Sequence, residues 1–136
     1  MGNRMSTAKF DTWKNTDGTE NYKCRAWVNF DGTGTPSIRA SGNVDSITDN
    51  GTGDYTVNFI TAMPDTNYAV TTTSIPIPGS NRAGFFIGPY QTQQSPAAPQ
   101  ASLTTASVRI ACMRGSSDTA AGVSIESNGV YVAVFR

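Results

Sequence analysis

Histidine does not occur anywhere in the chain, and cysteine occurs only twice, at Cys24 and Cys112. Without histidine, a Ser-His-Asp or Cys-His relay cannot be built, and the commonest metal ligand is missing. The cysteines do not form a close pair, which excludes zinc-ribbon and redox-motif chemistry. They are expected as two buried thiols in a reducing cytosol, with a staple between them as the alternative. No apolar run approaches the roughly 20 residues that span a bilayer, and the start, MGNRMSTAKF, lacks the apolar core of a signal peptide. Ten basic side chains balance ten acidic ones, so no long-range field draws the chain to nucleic acid or an anionic membrane. Neither nucleic-acid binding nor membrane insertion is expected. Charge is also unevenly spread: between Asp65 and Arg109 the only charged residue is Arg82. That stretch is a candidate for buried or partner-facing surface.

What the chain does contain is period-two alternation between Gly, Asn and Asp clusters, the signature of half-buried antiparallel strands. From Lys23 to Phe30, Cys24, Ala26, Val28 and Phe30 point one way and Arg25, Trp27 and Asn29 the other. From Tyr55 to Ile60, Tyr55, Val57 and Phe59 alternate with Thr56, Asn58 and Ile60. Between these runs, Ser37 to Ala40 reads as a short strand with Ile38 inward, and Val44 to Thr48 as another. Asp31-Gly32-Thr33-Gly34 and Asp49-Asn50-Gly51 read as hairpin turns. Beyond Pro64, Asn67 to Ser74 puts Tyr68, Val70 and Thr72 on one face. Ile75-Pro76-Ile77-Pro78-Gly79 must be a loop or an edge, because proline cannot donate to a ladder.

Further strands are predicted at Ala83 to Ile87, Leu103 to Met113, Val123 to Ile125 and Val130 to Phe135, with a tight turn at Ser127-Asn128-Gly129. The predicted fold is therefore all-β: an antiparallel β-sandwich or jelly roll of about eight or nine strands. Residues 22–136 form its single domain. Residues 1–21 are polar and have too few apolar groups for a core of their own. They read as an extended N-terminal arm whose Phe10 and Trp13 are anchors for attachment or for a neighbouring subunit.

Candidate chemistry is sparse. Asp31, Asp49 and Asp54 sit beside glycines, where turn-making through side-chain bonds to the backbone accounts for them. The run Asp49 to Asp54 lacks the length and terminal glutamate of a calcium loop, so no metal, cofactor or catalytic residue is assigned. The aromatics mostly read as core or seam, and two stand apart. Trp27 shares its face with Arg25 rather than with the apolar set, and Tyr90 enters PYQTQQSPAAPQ, the longest uncharged loop. Tyr90 and Trp27 as stacking faces, with Arg82, Gln91, Gln93 and Gln94 as hydrogen-bonding groups for hydroxyls, form the candidate ligand-binding set.

The block Asn15 to Val70, NTDGTENYKCRAWVNFDGTGTPSIRASGNVDSITDNGTGDYTVNFITAMPDTNYAV, resembles a module of predicted tail-fibre and tail proteins of bacteriophages, especially phages of cyanobacteria and other aquatic bacteria. Val130 to Phe135 looks like that module's final strand, and residues 71–129 carry no likeness. The resemblance implies a virion structural protein made in the bacterial host cytoplasm, commonly the distal part of a trimeric fibre, and it brings no catalytic residues. The expected function is a short tail fibre or fibre tip that recognises host cell-surface glycan as a homotrimer, in contact with other virion proteins. A capsid cement or decoration protein is the alternative, favoured by the short length and the lack of a shaft; a polysaccharide depolymerase ranks last.

Overall fold

The register between the first and last strands organises the structure, a computed structural model that describes residues 14, 16–18, 23–77, 85–89, 102–114 and 123–136. Among these residues nine strands follow in order: β1 (Cys24–Asp31), β2 (Ser37–Gly42), β3 (Val44–Gly51), β4 (Asp54–Phe59), β5 (Ala69–Pro76), β6 (Phe85–Pro89), β7 (Ser107–Arg114), β8 (Val123–Ser124) and β9 (Ser127–Phe135). They form two antiparallel sheets, β2-β1-β9-β5 and β3-β4-β7-β6, with β8 added to β7. The predicted all-β sandwich is what the chain adopts. In β1, Ala26, Val28 and Phe30 are buried, and in β9 Val130, Val132 and Val134. They meet Tyr55, Val57 and Phe59 of β4 and Val108, Ile110 and Cys112 of β7 in one core. The alternation seen in sequence thus faces each sheet inward on one side only. Phe30 meets Tyr55 edge-on, with centroids 5.2 Å apart, which couples the two sheets through an aromatic pair.

Asn43 carries the chain from one sheet to the other. Its φ of 56° lies in the left-handed region, which asparagine tolerates better than most side chains. Its Nδ2 donates to the carbonyls of Arg25 and Thr61, each at 3.0 Å, and its Oδ1 accepts from Thr61 N at 2.7 Å. One side chain therefore ties β1, the β2–β3 corner and the segment after β4. Tyr55 makes a second tie: its hydroxyl donates to Gly32 O at 2.5 Å, while Gly32 N donates to Ser127 O at 2.9 Å. Gly32 has to lack a Cβ, because one would sit 2.6 Å from the Tyr55 hydroxyl.

Several local expectations shift. Cys24 is exposed, not buried; the β1–β9 register slips between Cys24 and Ala26, so the bulge takes it off the inward face. Cys112 is buried, both cysteines are free, and burial pushes the Cys112 thiol up to about 11. The β3–β4 turn falls at Thr52-Gly53, and Asp49 Oδ1 accepts from Gly51 N at 2.9 Å just before it. Gly53, with φ 68°, lies so close to the Ile125 and Cys112 carbonyls that no side chain fits. Strand β7 starts at Ser107, not Leu103: Thr104 Oγ1 accepts from Ser107 N at 2.9 Å and folds Leu103 back against Val108. Ser127-Asn128-Gly129 is no turn but the start of β9, paired with Ile75 and Pro76 of β5. Strand β5 is an edge, which suits Pro76 at its end.

Asn43→Ala should lose about 2 kcal/mol in urea unfolding, because three side-chain bonds vanish and alanine resists the left-handed backbone. Asn43→Gly should lose less, since only the bonds go. Acid sensitivity has a defined sign. Bonds from Thr33 hold the Asp31 carboxyl below its ordinary 3.8, helped by Arg39, and Arg136 followed by Asn67 does the same for Asp65. Folded values below the unfolded ones give stability that is present above about pH 4 and lost as pH falls through the depressed values. An Asp31→Asn, Asp65→Asn double variant should show a flatter acid limb in denaturation followed by circular dichroism.

Candidate functional site

The outer faces of the two sheets differ in kind. On the β3-β4-β7 face, polar side chains satisfy one another: Asn58 Nδ2 donates to Thr48 Oγ1 at 2.9 Å and to Ser46 Oγ at 3.2 Å. Asn50 Nδ2 donates to Thr56 Oγ1 at 2.9 Å. Asp54 takes a two-pronged contact from Arg109, Nε to Oδ1 at 2.8 Å and Nη2 to Oδ2 at 2.5 Å. Asp54 therefore braces adjacent strands; it was expected to make a turn. Among the described residues, Asp31, Asp54 and Asp65 are each engaged by an arginine, and no cluster of three or more potential metal ligands exists.

The centre of the β2-β1-β9-β5 face is uncharged and carries exposed rings. Cross-strand register sets the rows: Gly42, Trp27, Ala133 and Thr71 lie side by side, then Ala40, Asn29, Tyr131 and Thr73, then Gly129 and Ile75. Of the six large apolar side chains exposed among the described residues, Trp27, Tyr131, Phe135 and Ile75 project from this face. Trp27 is 44% exposed and Tyr131 36%. Both rings lie over glycines. The pyrrole edge of Trp27 rests against Gly42, where a Cβ would collide with Nε1 and lie 2.9 Å from Cδ1. The Tyr131 hydroxyl comes within 3.2 Å of where a Gly129 Cβ would stand. Glycines in these two strands therefore make room for rings to lie down on the sheet.

Between the rings runs an open trough of about 390 Å³ lined by Trp27, Asn29, Thr71, Thr73, Tyr131 and Ala133, together with Val28, Thr72 and Val132. None of these residues is charged. Small Ala133 forms the low point of its row, flanked by Trp27 and Thr71. Thr71 Oγ1 reaches Ala133 O at 3.5 Å, the limit of a hydrogen bond. Asn29 is only partly buried, yet its Oδ1 is closed to solvent and has no hydrogen-bond partner. A buried acceptor left alone costs about 1–3 kcal/mol and calls for an explanation.

Of the predicted ligand-binding residues, Trp27 lies on this face. Arg82, Tyr90, Gln91, Gln93 and Gln94 lie outside the described residues, as do Phe10 and Trp13 of the arm. Asn29, Tyr131, Thr71 and Thr73 were not picked out from sequence. Part of their signal was available: Tyr131 and Ile75 are large side chains of apolar body at outward positions of β9 and β5, where a solvated face carries polar groups. Searches of protein-family models, curated proteins and solved structures find no match to this chain.

The contact between Trp27 and Gly42 makes a direct test. Gly42→Ala should displace the indole, shift tryptophan emission in a Trp13→Phe background, and destabilise by about 1–3 kcal/mol. Unchanged emission would mean that Trp27 does not rest on Gly42.

Proposed function

We propose that this chain is a non-enzymatic virion protein of the bacteriophage tail-fibre kind, recognising host cell-surface glycan as a homotrimer. The observation that carries the proposal is the contrast between the two outer faces. One is a self-satisfied polar ladder suited to water; the other presents exposed rings and threonines around an uncharged trough. A sizeable exposed apolar patch on a small domain marks an interaction surface. Rings beside hydroxyl and amide groups match the amphipathic faces of sugars. The resemblance of residues 15–70 to phage tail modules supplies the setting. Trimerisation fits the charge-poor stretch from Thr66 to Val108, and several weak sites engaging one surface together gain affinity by orders of magnitude.

A capsid decoration protein is the second reading. It is favoured by the same apolar face, which would then lie against shell protein. Immunogold labelling of intact particles separates the two: label at tail or fibre ends fits host recognition, and label spread over the head fits decoration. The trimer is checked by mass in solution at micromolar concentration. Three times 14.4 kDa is expected, and a species at 14.4 kDa overturns it.

A further inference from the structure

We infer that the trough between Trp27 and Tyr131 is a subsite for one uncharged pyranose ring of a neutral polysaccharide, with Asn29 as its specificity-determining floor. The inference rests on the glycan reading and narrows it to a site and a sugar class. Three observations converge. First, Trp27 and Tyr131 flank the trough from neighbouring strands, and the glycines beneath them let the rings lie low enough to offer apolar surface to a flat ligand. The axial C–H groups of a pyranose make such an apolar face, so stacking supplies affinity without charge.

Second, the polar groups of the lining are hydroxyls and an amide: Thr71 and Thr73 along β5, Asn29 in β1, and the phenol of Tyr131. They both donate and accept, as sugar hydroxyls do. No lysine or arginine lines the trough to neutralise a uronic or sialic carboxylate, and no carboxylate lines it to hold a bridging calcium ion. An acidic sugar would have to desolvate its charge there without a partner. Third, Asn29 in the trough lining carries an Oδ1 closed to solvent and without a donor, so a sugar hydroxyl meets it only once the side chain turns toward the trough. Val28 and Phe30 on either side serve the core, whereas the Asn29 side chain forms no bond through Oδ1 that folding needs. A β-branched apolar residue would suit the strand better. Turning toward a bound sugar would give that acceptor the donor that folding does not.

The test uses the full-length protein, with saturation-transfer NMR and calorimetric titration against malto-, cello- and mannohexaose and an oligogalacturonate of equal length. At least one neutral hexaose should bind, with an affinity that barely changes between low and high salt, while the oligogalacturonate should not. Trp27→Ala should weaken binding several-fold to about ten-fold, the scale of one lost stacking contact. Asn29→Val should weaken it several-fold while thermal stability holds or rises, a combination that a structural residue would not give. Tyr90→Ala should leave binding intact.

Binding that survives Trp27→Ala and disappears in Tyr90→Ala overturns the trough assignment and leaves glycan recognition standing. Preference for the acidic oligosaccharide with steep salt dependence overturns the neutral class. Lack of binding to every sugar, with Trp27 shielded from acrylamide in a Trp13→Phe background, overturns both, since the face is then a protein seam.

Discussion

The antiparallel register of β1 on β9 is the constraint on which both the interior and the outer trough depend. Val28 opposite Val132 and Phe30 opposite Val130 turn inward. One residue away, Trp27 opposite Ala133 and Asn29 opposite Tyr131 turn outward. Because side chains alternate strictly, a slip of one residue would move valines into water and Trp27 into the core. Burial of Val28, Phe30, Val130, Val132 and Val134, each worth about 1.5–3 kcal/mol, therefore selects the register. The trough inherits its geometry from the core. Nothing in the outer face needs to be strong enough to hold itself in place.

These two strands lie at opposite ends of the described domain. Pairing them first would close a loop of nearly the whole domain, and such non-local closure is what makes sandwiches fold slowly. Local ties offset part of that difficulty. The β3–β4 hairpin closes at Thr52-Gly53, and Asn43 fixes the corner before it. Tyr55 then reaches from β4 to Gly32, whose amide bonds Ser127 at the start of β9. A local hairpin thereby carries a hydroxyl to the point where the first and last strands must meet.

Much of the fold was legible in sequence because burial is one-sided and leaves a period-two trace. Tyr55-Val57-Phe59 and Ala26-Val28-Phe30 announce their inward faces without any neighbour being known. Failures came where one signal serves two structures. Asn128-Gly129 reads as a turn, but Gly129 is extended and lacks a side chain because Ile75 and Tyr131 cover it. Leu103 continues an apolar run, but the Thr104 hydroxyl captures the backbone and reverses the chain. Cys24 keeps the right parity in sequence and loses it to a bulge, which parity alone does not reveal. For the candidate site, parity isolated Trp27 as an outward ring. Its neighbours come from β5 and β9, and only sheet order brings Thr71, Thr73 and Tyr131 beside it. Lateral order in a sheet has no periodic trace in a single sequence.

The two outer faces show what the domain does with side chains released from packing. On β3 and β4, Ser46, Thr48, Asn50, Thr56 and Asn58 spend their polar atoms on each other, which leaves that face little specificity for a ligand. On β1, β9 and β5, the rings and the Asn29 acceptor are left without such closure. An open trough of this kind holds a ligand weakly, since it buries only part of the ligand's surface. Its lack of charge also makes attraction short-ranged, though insensitive to salt. Both properties suit the proposed role only if several copies act at once, where linkage converts weak contacts into firm attachment. A lone subunit with this face would be a poor binder, so the glycan reading draws on several linked copies for firm attachment.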